Sequence, residues 1–284
     1  MRITSHTKTI GLIGHPIAHS RSPDMHNAAL KYYGLPYVYL AYDIPEEHFS
    51  DAIKGMKALG FIGWNVTIPH KVRIIDQLDE LDASAEQIGA VNTVVKRAQK
   101  WIGYNTDGIG YLRSLQEEVQ MDVTGKRIVL LGAGGAARAV GYALATSAVK
   151  QIVIANRTLA KAEQLADHLA QWTKTDIRPL RDAKQAIQEA DLVVNTTSVG
   201  MHPNTGAIPI DPAWLHEDLV VSDCIYEPRQ TALLKAASSI GAVTHNGLGM
   251  LVYQAACAFE LWLGKKAPIA QMKSALAQVK EDAT

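Results

Sequence analysis

A lysine and an aspartate have the residue types and surroundings that suit chemistry on a carbonyl group. Lys71 closes the polar run NVTIPHK at 65–71, and Asp107 lies in the turn NTDG at 105–108. When hydride reaches a carbonyl carbon, the developing alkoxide needs a cation or a proton donor beside it. Asp107 can hold Lys71 in place and tune its pKa. Considered alone, Lys71 could be a surface lysine and Asp107 could be a helix N-cap. Together, the two residues indicate a catalytic site.

A glycine-rich turn forms the second candidate site. The apolar run IVLL at 128–131 leads directly into Gly132, Ala133, Gly134, Gly135 and Ala136, and a helical pattern follows. In such a G-x-G-x-x-A pattern the glycines permit a tight turn and let the backbone approach a pyrophosphate, and the helix N-terminus offers free N–H groups. With a strand before it and a helix after it, the pattern predicts a dinucleotide site. The alternative is a glycine-rich connection that binds nothing.

The end of the next strand distinguishes between the two nicotinamide cofactors. NAD sites usually place Asp or Glu there, to bind the ribose 2′-hydroxyl. This chain instead has Asn156, Arg157 and Thr158. Arg157 can pair with a 2′-phosphate and Thr158 can donate a hydrogen bond to it, whereas a carboxylate would repel it. The sequence therefore favours NADP, against the alternative that Arg157 is only a solvated residue before the next helix.

Two series of alternating strands and helices must position these residues. The first series has predicted strands at 9–13, 37–42, 61–66, 91–95 and 101–104, with helices at 23–33 and 45–59. The second has predicted strands at 128–131, 152–155, 192–195, 220–223 and 242–244, with helices at 135–146, 159–171 and 231–240. Both series predict mainly parallel sheets, so the expected fold class is α/β with two doubly wound domains, the second a Rossmann-type NADP-binding domain.

The chain length supports two domains, because single hydrophobic cores stop growing near roughly 250–300 residues and this chain has 284. The turn before Asp107 provides the boundary. An apolar helix predicted at 248–263 follows the last strand of the second series and can return to the first domain. The expected division is a substrate-binding and catalytic domain at 1–106 plus 247–284, and an NADP-binding domain at 107–246.

Composition argues against several other classes of function. Lys plus Arg and Asp plus Glu both number 28, so net charge gives no reason to expect nucleic acid or an anionic membrane as a partner. The apolar stretch at 248–263 is shorter than the roughly 20 residues of a membrane span. The two cysteines form no C-x-x-C, and Pro16 separates His15 from His19, so we expect no metal. The expected location is the cytoplasm, as a monomer or homodimer.

Seven blocks of this sequence resemble the shikimate dehydrogenase family, and together they cover essentially the whole chain. They are GHPIAHSRSP at 14–23, NVTIPHK at 65–71, GAVNT at 89–93, NTDG at 105–108, GAGGA at 132–136, NRT at 156–158 and GLGMLVYQ at 247–254. The resemblance implies reversible, NADP-dependent reduction of 3-dehydroshikimate to shikimate, in chorismate and aromatic amino-acid biosynthesis. Hydride would pass from NADPH to the ring carbonyl while Lys71 and Asp107 handle the proton.

The resemblance also implies two sets of site residues. The substrate set is Ser20, Ser22, Asn65, Thr67, Lys71, Asn92, Asp107, Tyr226 and Gln254. The cofactor set is Gly132, Ala133, Gly134, Gly135, Ala136, Asn156, Arg157, Thr158, Lys161, Cys224 and Gly247. Within these sets, the two serines match a carboxylate-binding Ser-x-Ser, although hydroxyls before a helix also form local turns. Gln254 has the alternative of a polar residue on an exposed helix face.

Two rival functions remain at this point. One is a quinate/shikimate dehydrogenase that uses NAD, since such paralogues share most of the seven blocks. The Ser-x-Ser, Asn-Val-Thr and Asn-Arg-Thr forms found here favour the shikimate enzyme with NADP. The other rival is a non-catalytic nucleotide-binding regulator on the same fold. The intact Lys71 and Asp107 argue against it, because a pure binding protein needs no proton relay.

Overall fold

The computed structural model describes residues 3–278, which divide into two compact units. Unit 1 covers the described residues up to Thr106 together with those from Val252 onward, and unit 2 is Asp107–Leu251. Each unit contains a six-stranded sheet with helices. The predicted fold class, two α/β domains, is confirmed.

Unit 1 is built around a mixed sheet. Its elements before residue 107 are β1 (Lys8–Gly14), α1 (Ser22–Tyr32), β2 (Tyr37–Asp43), α2 (Phe49–Ala58), β3 (Gly63–Val66), β4 (Glu80–Leu81), α3 (Ala83–Ile88), β5 (Thr93–Arg97) and β6 (Lys100–Tyr104). The strand order is β2-β1-β3-β5-β6-β4. Strands β1, β2 and β3 are parallel, as predicted, but β5 runs antiparallel to both β3 and β6. A two-residue connection joins β5 to β6, and so short a link permits only an antiparallel pair.

Unit 2 is a doubly wound sheet. Its elements are α4 (Asp107–Val119), β7 (Arg127–Leu131), α5 (Gly135–Ala145), β8 (Gln151–Asn156), α6 (Leu159–Leu169), β9 (Thr175–Pro179), α7 (Lys184–Gln188), β10 (Leu192–Asn195), β11 (Val220–Asp223), α8 (Ala232–Ser239) and β12 (Val243–His245). The strand order is β12-β11-β10-β7-β8-β9, and every described pairing is parallel. This is the Rossmann order, in which ligands bind beyond the carboxyl ends of the strands.

The central strands of unit 2 explain why the sequence predicts them so clearly. In β7, Ile128 and Leu130 pack into the core under α5 and α6, while Val129 and Leu131 pack into the core on the opposite face. All four are buried. Parallel strands that are covered on both faces have continuous apolar sequences. The edge strand β9 was not predicted, because it has only partial burial and mixed polar residues.

Two further helices complete the described chain, α9 (Gly247–Leu263) and α10 (Ile269–Gln278). The end of α9 belongs to unit 1, where Trp262 Nε1 donates to the Val94 carbonyl over 2.9 Å. Its first turn belongs to unit 2, because a Cβ on Gly247 would collide with the Cys224 carbonyl. The observed division after Leu251 therefore differs from the expected one by the first turn of α9. Across residues 3–278, no helix is long and apolar enough to cross a membrane.

Candidate active site

A buried hydrogen-bond network joins several predicted substrate residues of unit 1. Tyr39 Oη donates to Asn65 Oδ1 over 2.7 Å. Asn65 Nδ2 donates to the Asn92 carbonyl and to Thr93 Oγ1, each over 3.0 Å. Burial raises the pKa of Tyr39 well above its usual range, against the opposing effect of its hydrogen bond with Ser22, so the phenol stays protonated. The carboxamide of Asn65 is thus hydrogen-bonded to protein groups, and these bonds connect β3 to β2 and to the start of β5.

A neutral histidine packs under this network. His26 stacks on Tyr39 with 4.3 Å between the ring centroids, and it is almost wholly buried. Burial lowers the pKa of His26 to about 3. Neither of its ring nitrogens has a hydrogen-bond partner among the residues described. The imidazole therefore acts as a flat, uncharged packing group that holds the Tyr39 ring in place.

The turn before Asp107 is fixed by side chains of unit 1. The backbone N–H of Thr106 donates to Asn92 Oδ1, and Asn92 Nδ2 donates to Thr106 Oγ1, both over 2.9 Å. Asn105 Nδ2 donates to the Ala90 carbonyl over 2.9 Å. These paired contacts set the backbone direction at the residue that precedes Asp107.

Backbone hydrogen bonds hold the loop that carries Thr67 and Lys71. The Thr67 N–H donates to the Ile13 carbonyl over 2.9 Å, and the Lys71 carbonyl accepts from Val91 N over 2.8 Å. A side chain at Gly14 would collide with Thr67 Cγ2, so glycine at the end of β1 lets this loop approach. Lys71 itself is half-buried in unit 1, whereas Asp107 is the first residue of α4 in unit 2. Their pairing stays a prediction.

The two predicted carboxylate-binding serines lie at the start of α1. Ser22 is its first residue, and its backbone N–H donates to Ser20 Oγ over 3.3 Å. The local turn considered as an alternative is therefore present. A hydroxyl donates as well as accepts, so this turn and carboxylate binding are compatible. Gln254, another predicted substrate residue, is half-buried on α9.

The glycine turn of unit 2 leaves space at a helix N-terminus. Gly132 has φ of 106°, a conformation that favours glycine, and a Cβ there would lie 2.8 Å from Thr196 Oγ1. Gly134 is the N-cap of α5, and a Cβ on Gly134 or Gly135 would meet no protein atom within 4 Å. The Gly132 N–H donates to the Ala155 carbonyl over 2.9 Å, which ties the turn to β8. The space beside Gly134 and Gly135, at the N-terminus of α5, fits a pyrophosphate.

Cationic and polar groups follow β8, as predicted for NADP. Asn156 ends the strand, and its Nδ2 donates to the Thr158 carbonyl over 2.8 Å, which holds the turn. Arg157, Thr158 and Lys161 are all exposed, with Lys161 in the first turn of α6. The chain therefore has no carboxylate at the position where NAD proteins bind the ribose.

A buried carboxylate supports the loop that carries Cys224 and Tyr226. Asp223 Oδ1 accepts from Asn195 Nδ2 over 3.1 Å and from Ile225 N over 3.0 Å, and Oδ2 accepts from Thr231 Oγ1 over 2.8 Å. Burial raises the pKa of Asp223, although these three hydrogen bonds oppose the shift. The loop begins and ends at this network, which connects the ends of β10, β11 and α8.

The predicted cofactor residue Cys224 is a half-buried free thiol. Burial raises its pKa, and the carboxylates of Asp223 and Asp107 raise it further. Its carbonyl lies against Gly247, the other predicted cofactor residue nearby, and Tyr226 is partly exposed further along the same loop. Among residues 3–278, no group of three or more His, Cys, Asp or Glu side chains is arranged to hold a metal ion.

Three contributors to these sites were not predicted from the sequence. Tyr39, Thr93 and the Asp223 carboxylate each connect residues that lie far apart in the chain. Tyr39 has the alternating pattern of a strand and gives no local signal of a partner. Asp223 gives a weak signal, because it is a polar residue that closes an apolar strand.

Fold and site together define a class, the two-unit α/β proteins with a Rossmann-type dinucleotide-binding sheet. Three family models match the chain: "Shikimate dehydrogenase substrate binding domain" over residues 12–94, "Shikimate / quinate 5-dehydrogenase" over 114–202, and "Shikimate 5'-dehydrogenase C-terminal domain" over 247–277. The chain belongs to the shikimate dehydrogenase family.

Individual relatives agree with this assignment. The chain is 49% identical over 279 residues to a shikimate dehydrogenase (NADP(+)) of Methanopyrus kandleri, with 96% of each chain covered. It is 50% identical over 280 residues to one of Methanocaldococcus jannaschii, covering 96% of this chain and 98% of the relative. A crystal structure of shikimate 5-dehydrogenase from Listeria monocytogenes with shikimate and NAD is 41% identical, with a TM-score of 0.93 and coverage of 97% and 98%.

These comparisons confirm the predicted family, the enzyme class (an oxidoreductase) and the Rossmann-type second domain. The curated relatives are named for NADP(+), in agreement with the cofactor predicted from Arg157 and Thr158.

Proposed function

We propose that this protein catalyses the NADP-dependent, reversible reduction of 3-dehydroshikimate to shikimate, in aromatic amino-acid biosynthesis. The observation that carries the proposal is the open glycine turn after β7 combined with a cation, rather than a carboxylate, after β8. That combination suits a cofactor with a 2′-phosphate. The substrate follows from the family, whose curated relatives are named shikimate dehydrogenase (NADP(+)).

Most of the proposed substrate residues lie in the domain 1–106 plus 247–284 and most of the proposed cofactor residues in the domain 107–246; the exceptions are the substrate residues Asp107 and Tyr226 and the cofactor residue Gly247. Ser20 and Ser22 bind the substrate carboxylate. The remaining substrate residues bind or orient the ring: Thr67, Asn92, Asp107, Tyr226 and Gln254. Asn65 holds the surrounding strands through its three hydrogen bonds, so its contribution is to positioning.

The proton step is assigned to Lys71, assisted by Asp107. Bound NADPH supplies the hydride that reduces the ring carbonyl. Lys71 donates a proton to the oxygen on which negative charge develops, and accepts one in the reverse direction. The hydrogen bonds that hold residues 67–71 fix the backbone under this lysine. Such fixed orientation is a large part of the rate enhancement that an enzyme provides.

Initial rates with four substrate–cofactor combinations test the proposal. Shikimate and quinate are each oxidised with NADP+ and with NAD+, and shikimate with NADP+ should give the highest kcat/KM. Replacing Arg157 with Ala should weaken NADP+ more than NAD+. Equal losses for the two cofactors would reject the role of Arg157 at the 2′-phosphate.

A second candidate is an enzyme of the same family that uses quinate or NAD. Two observations make it the alternative to test: the Listeria relative was crystallised with NAD, and one family model is described as shikimate / quinate. The curated relatives named for NADP(+) favour the NADP enzyme. Higher kcat/KM with NAD+ or quinate in the four-way assay would select it. Tight NADP+ binding without turnover of either substrate would instead indicate a regulator.

The proposal extends to location and assembly. We place the enzyme in the cytoplasm, where both cysteines remain reduced thiols, as a monomer or homodimer that does not bind nucleic acid. Light scattering on the purified protein, with and without added nucleic acid, would determine the assembly and detect any complex.

A further inference from the structure

A cavity of about 380 Å³ lies beside Arg157 in unit 2. Its apolar wall includes Leu180, Ile210 and Trp214, and its polar wall includes Arg157, Arg181 and Asp211. The volume lies within the range of small-molecule sites, about 300–1,000 Å³. An aromatic ring and two guanidinium groups around one cavity suit a planar, heteroaromatic base that carries a phosphate.

The sheet register brings the two arginines to the same edge. Strands β8 and β9 are parallel, with Asn156 opposite Pro179. Arg157 is therefore one residue beyond this aligned pair and Arg181 two residues beyond it. Neighbouring strands lie about 4.8 Å apart. The backbone positions of Arg157 and Arg181 are therefore adjacent at the carboxyl edge of the sheet. Ligands of doubly wound sheets bind at this edge.

The electrostatics of the cavity favour an anion. Arg181 Nε lies 3.6 Å from Asp182 Oδ2, and both side chains are well exposed, so their attraction is weak. Asp211 Oδ1 accepts from Ala213 N over 3.0 Å, which fixes the short turn that presents Trp214. Two arginines and one aspartate thus line the cavity, so its lining carries a net positive charge.

We propose that Arg181 is an additional cation for the 2′-phosphate of NADP, beside Arg157 and the predicted cofactor residue Lys161, and that the adenine ring occupies the cavity against Trp214. The assignment rests on the proposed function, because it concerns the same cofactor. Arg157 and Arg181 then bind the phosphate from two adjacent strands. Trp214 and the apolar wall contact the base, which NADP and NAD share.

Isothermal titration with NADP+, NAD+ and adenosine 2′,5′-bisphosphate tests the role of Arg181. In Arg181→Ala the Kd should rise about tenfold for NADP+ and for the bisphosphate, the size expected for one exposed charge-assisted hydrogen bond. The Kd for NAD+ should stay within about twofold of wild type. Arg178→Ala is the matched control, since Arg178 lies on β9 and pairs with Asp176 at 2.7 Å. That variant should bind all three ligands like wild type.

Two outcomes would overturn the role of Arg181. One is unchanged NADP+ affinity in Arg181→Ala, and the other is an equal loss for NADP+ and NAD+. If wild type still oxidises shikimate with NADP+, the proposed function stands while this inference falls. If wild type binds neither NADP+ nor the bisphosphate, the proposed function itself is rejected. The two failures are therefore distinguishable.

Trp214 tests the position of the base separately. Trp214→Ala should raise the Kd for NADP+ and NAD+ by the same factor, about tenfold, because adenine stacking is common to both. Trp214→Phe retains an aromatic wall and should restore most of the affinity. Unchanged affinity in a folded Trp214→Ala, or no rescue by phenylalanine, would place the adenine elsewhere.

Discussion

Unit 1 and unit 2 present their candidate residues in opposite ways. In unit 1, Asn65 and Asn92 are buried and hydrogen-bonded to Tyr39, Thr93 and Thr106. In unit 2, the predicted cofactor residues are bare backbone at Gly134 and Gly135 and exposed side chains such as Arg157. A small ring with several hydroxyls requires side chains fixed in position. Phosphates are recognised by free N–H groups and by charge, which need less packing.

Because of this difference, substitutions in the two units should have different effects on stability and on ligand binding. In unit 1 the candidate residues also hold the fold together, so substitutions should reduce both turnover and stability. In unit 2 some substitutions should reduce cofactor affinity without affecting folding. The following predictions, from the largest effect to the smallest, test that contrast.

Lys71→Ala should have the largest effect on turnover. Loss of a general acid and base lowers kcat by about 10²–10⁴-fold, and binding of shikimate should change much less. Steady-state rates with NADP+ measure the first, and titration with shikimate measures the second. Lys54→Ala is the control, because Lys54 is an exposed lysine on α2. A near-normal kcat in Lys71→Ala would remove this residue from the mechanism.

Gly132→Ala and Gly135→Ala should separate folding from cofactor binding. At Gly132 the positive φ and the close Thr196 hydroxyl should reduce the free energy of unfolding by about 3 kcal/mol. Gly135→Ala adds a methyl group in open space at the first residue of α5, so stability should be equal or higher. That methyl group should still weaken NADP+ by crowding its pyrophosphate. Urea unfolding and NADP+ titration of both variants provide the measurements.

If Gly135→Ala instead binds NADP+ as wild type does, the pyrophosphate lies elsewhere. If Gly132→Ala retains wild-type stability, the backbone at this turn adapts more easily than its positive φ indicates.

Asn65→Ala should lower the free energy of unfolding by about 2 kcal/mol or more. It removes three buried hydrogen bonds and leaves the Tyr39 hydroxyl without its acceptor. Tyr39→Phe removes one of these bonds and should cost about 1 kcal/mol. Urea unfolding of both single variants and the double variant gives their coupling energy. Strictly additive losses would contradict a shared network.

Asp223→Asn should show the smallest effect, as a change in pH dependence. Because burial raises the pKa of Asp223, its carboxyl favours folding below its unfolded pKa, and this contribution is lost as pH rises through the folded value. Asparagine does not titrate. The free energy of unfolding of the variant, relative to wild type, should therefore increase as pH rises above about 4, the usual value for an aspartate. Urea unfolding at several pH values tests this, and a constant difference would argue against the raised pKa.

Much of the fold was predictable from local pattern, and the exceptions have physical reasons. Apolar strands such as β7 and β10 were predicted because both of their faces are buried. Strand β9 was missed because it is a partly exposed edge strand, and α3 was missed because its six residues are too few to establish a helical period. The antiparallel direction of β5 depends on its pairing in the sheet, which no local pattern encodes.

The sequence by itself determined the family and predicted the dinucleotide turn at Gly132 and the 2′-phosphate contact of Arg157, because these depend on residues that are adjacent in the chain. Only the tertiary structure decided that Asn65 is bonded to Tyr39 and Thr93, and that Arg157 and Arg181 line one cavity. Such contacts join residues from different strands. They follow from sheet order and register, which long-range packing sets.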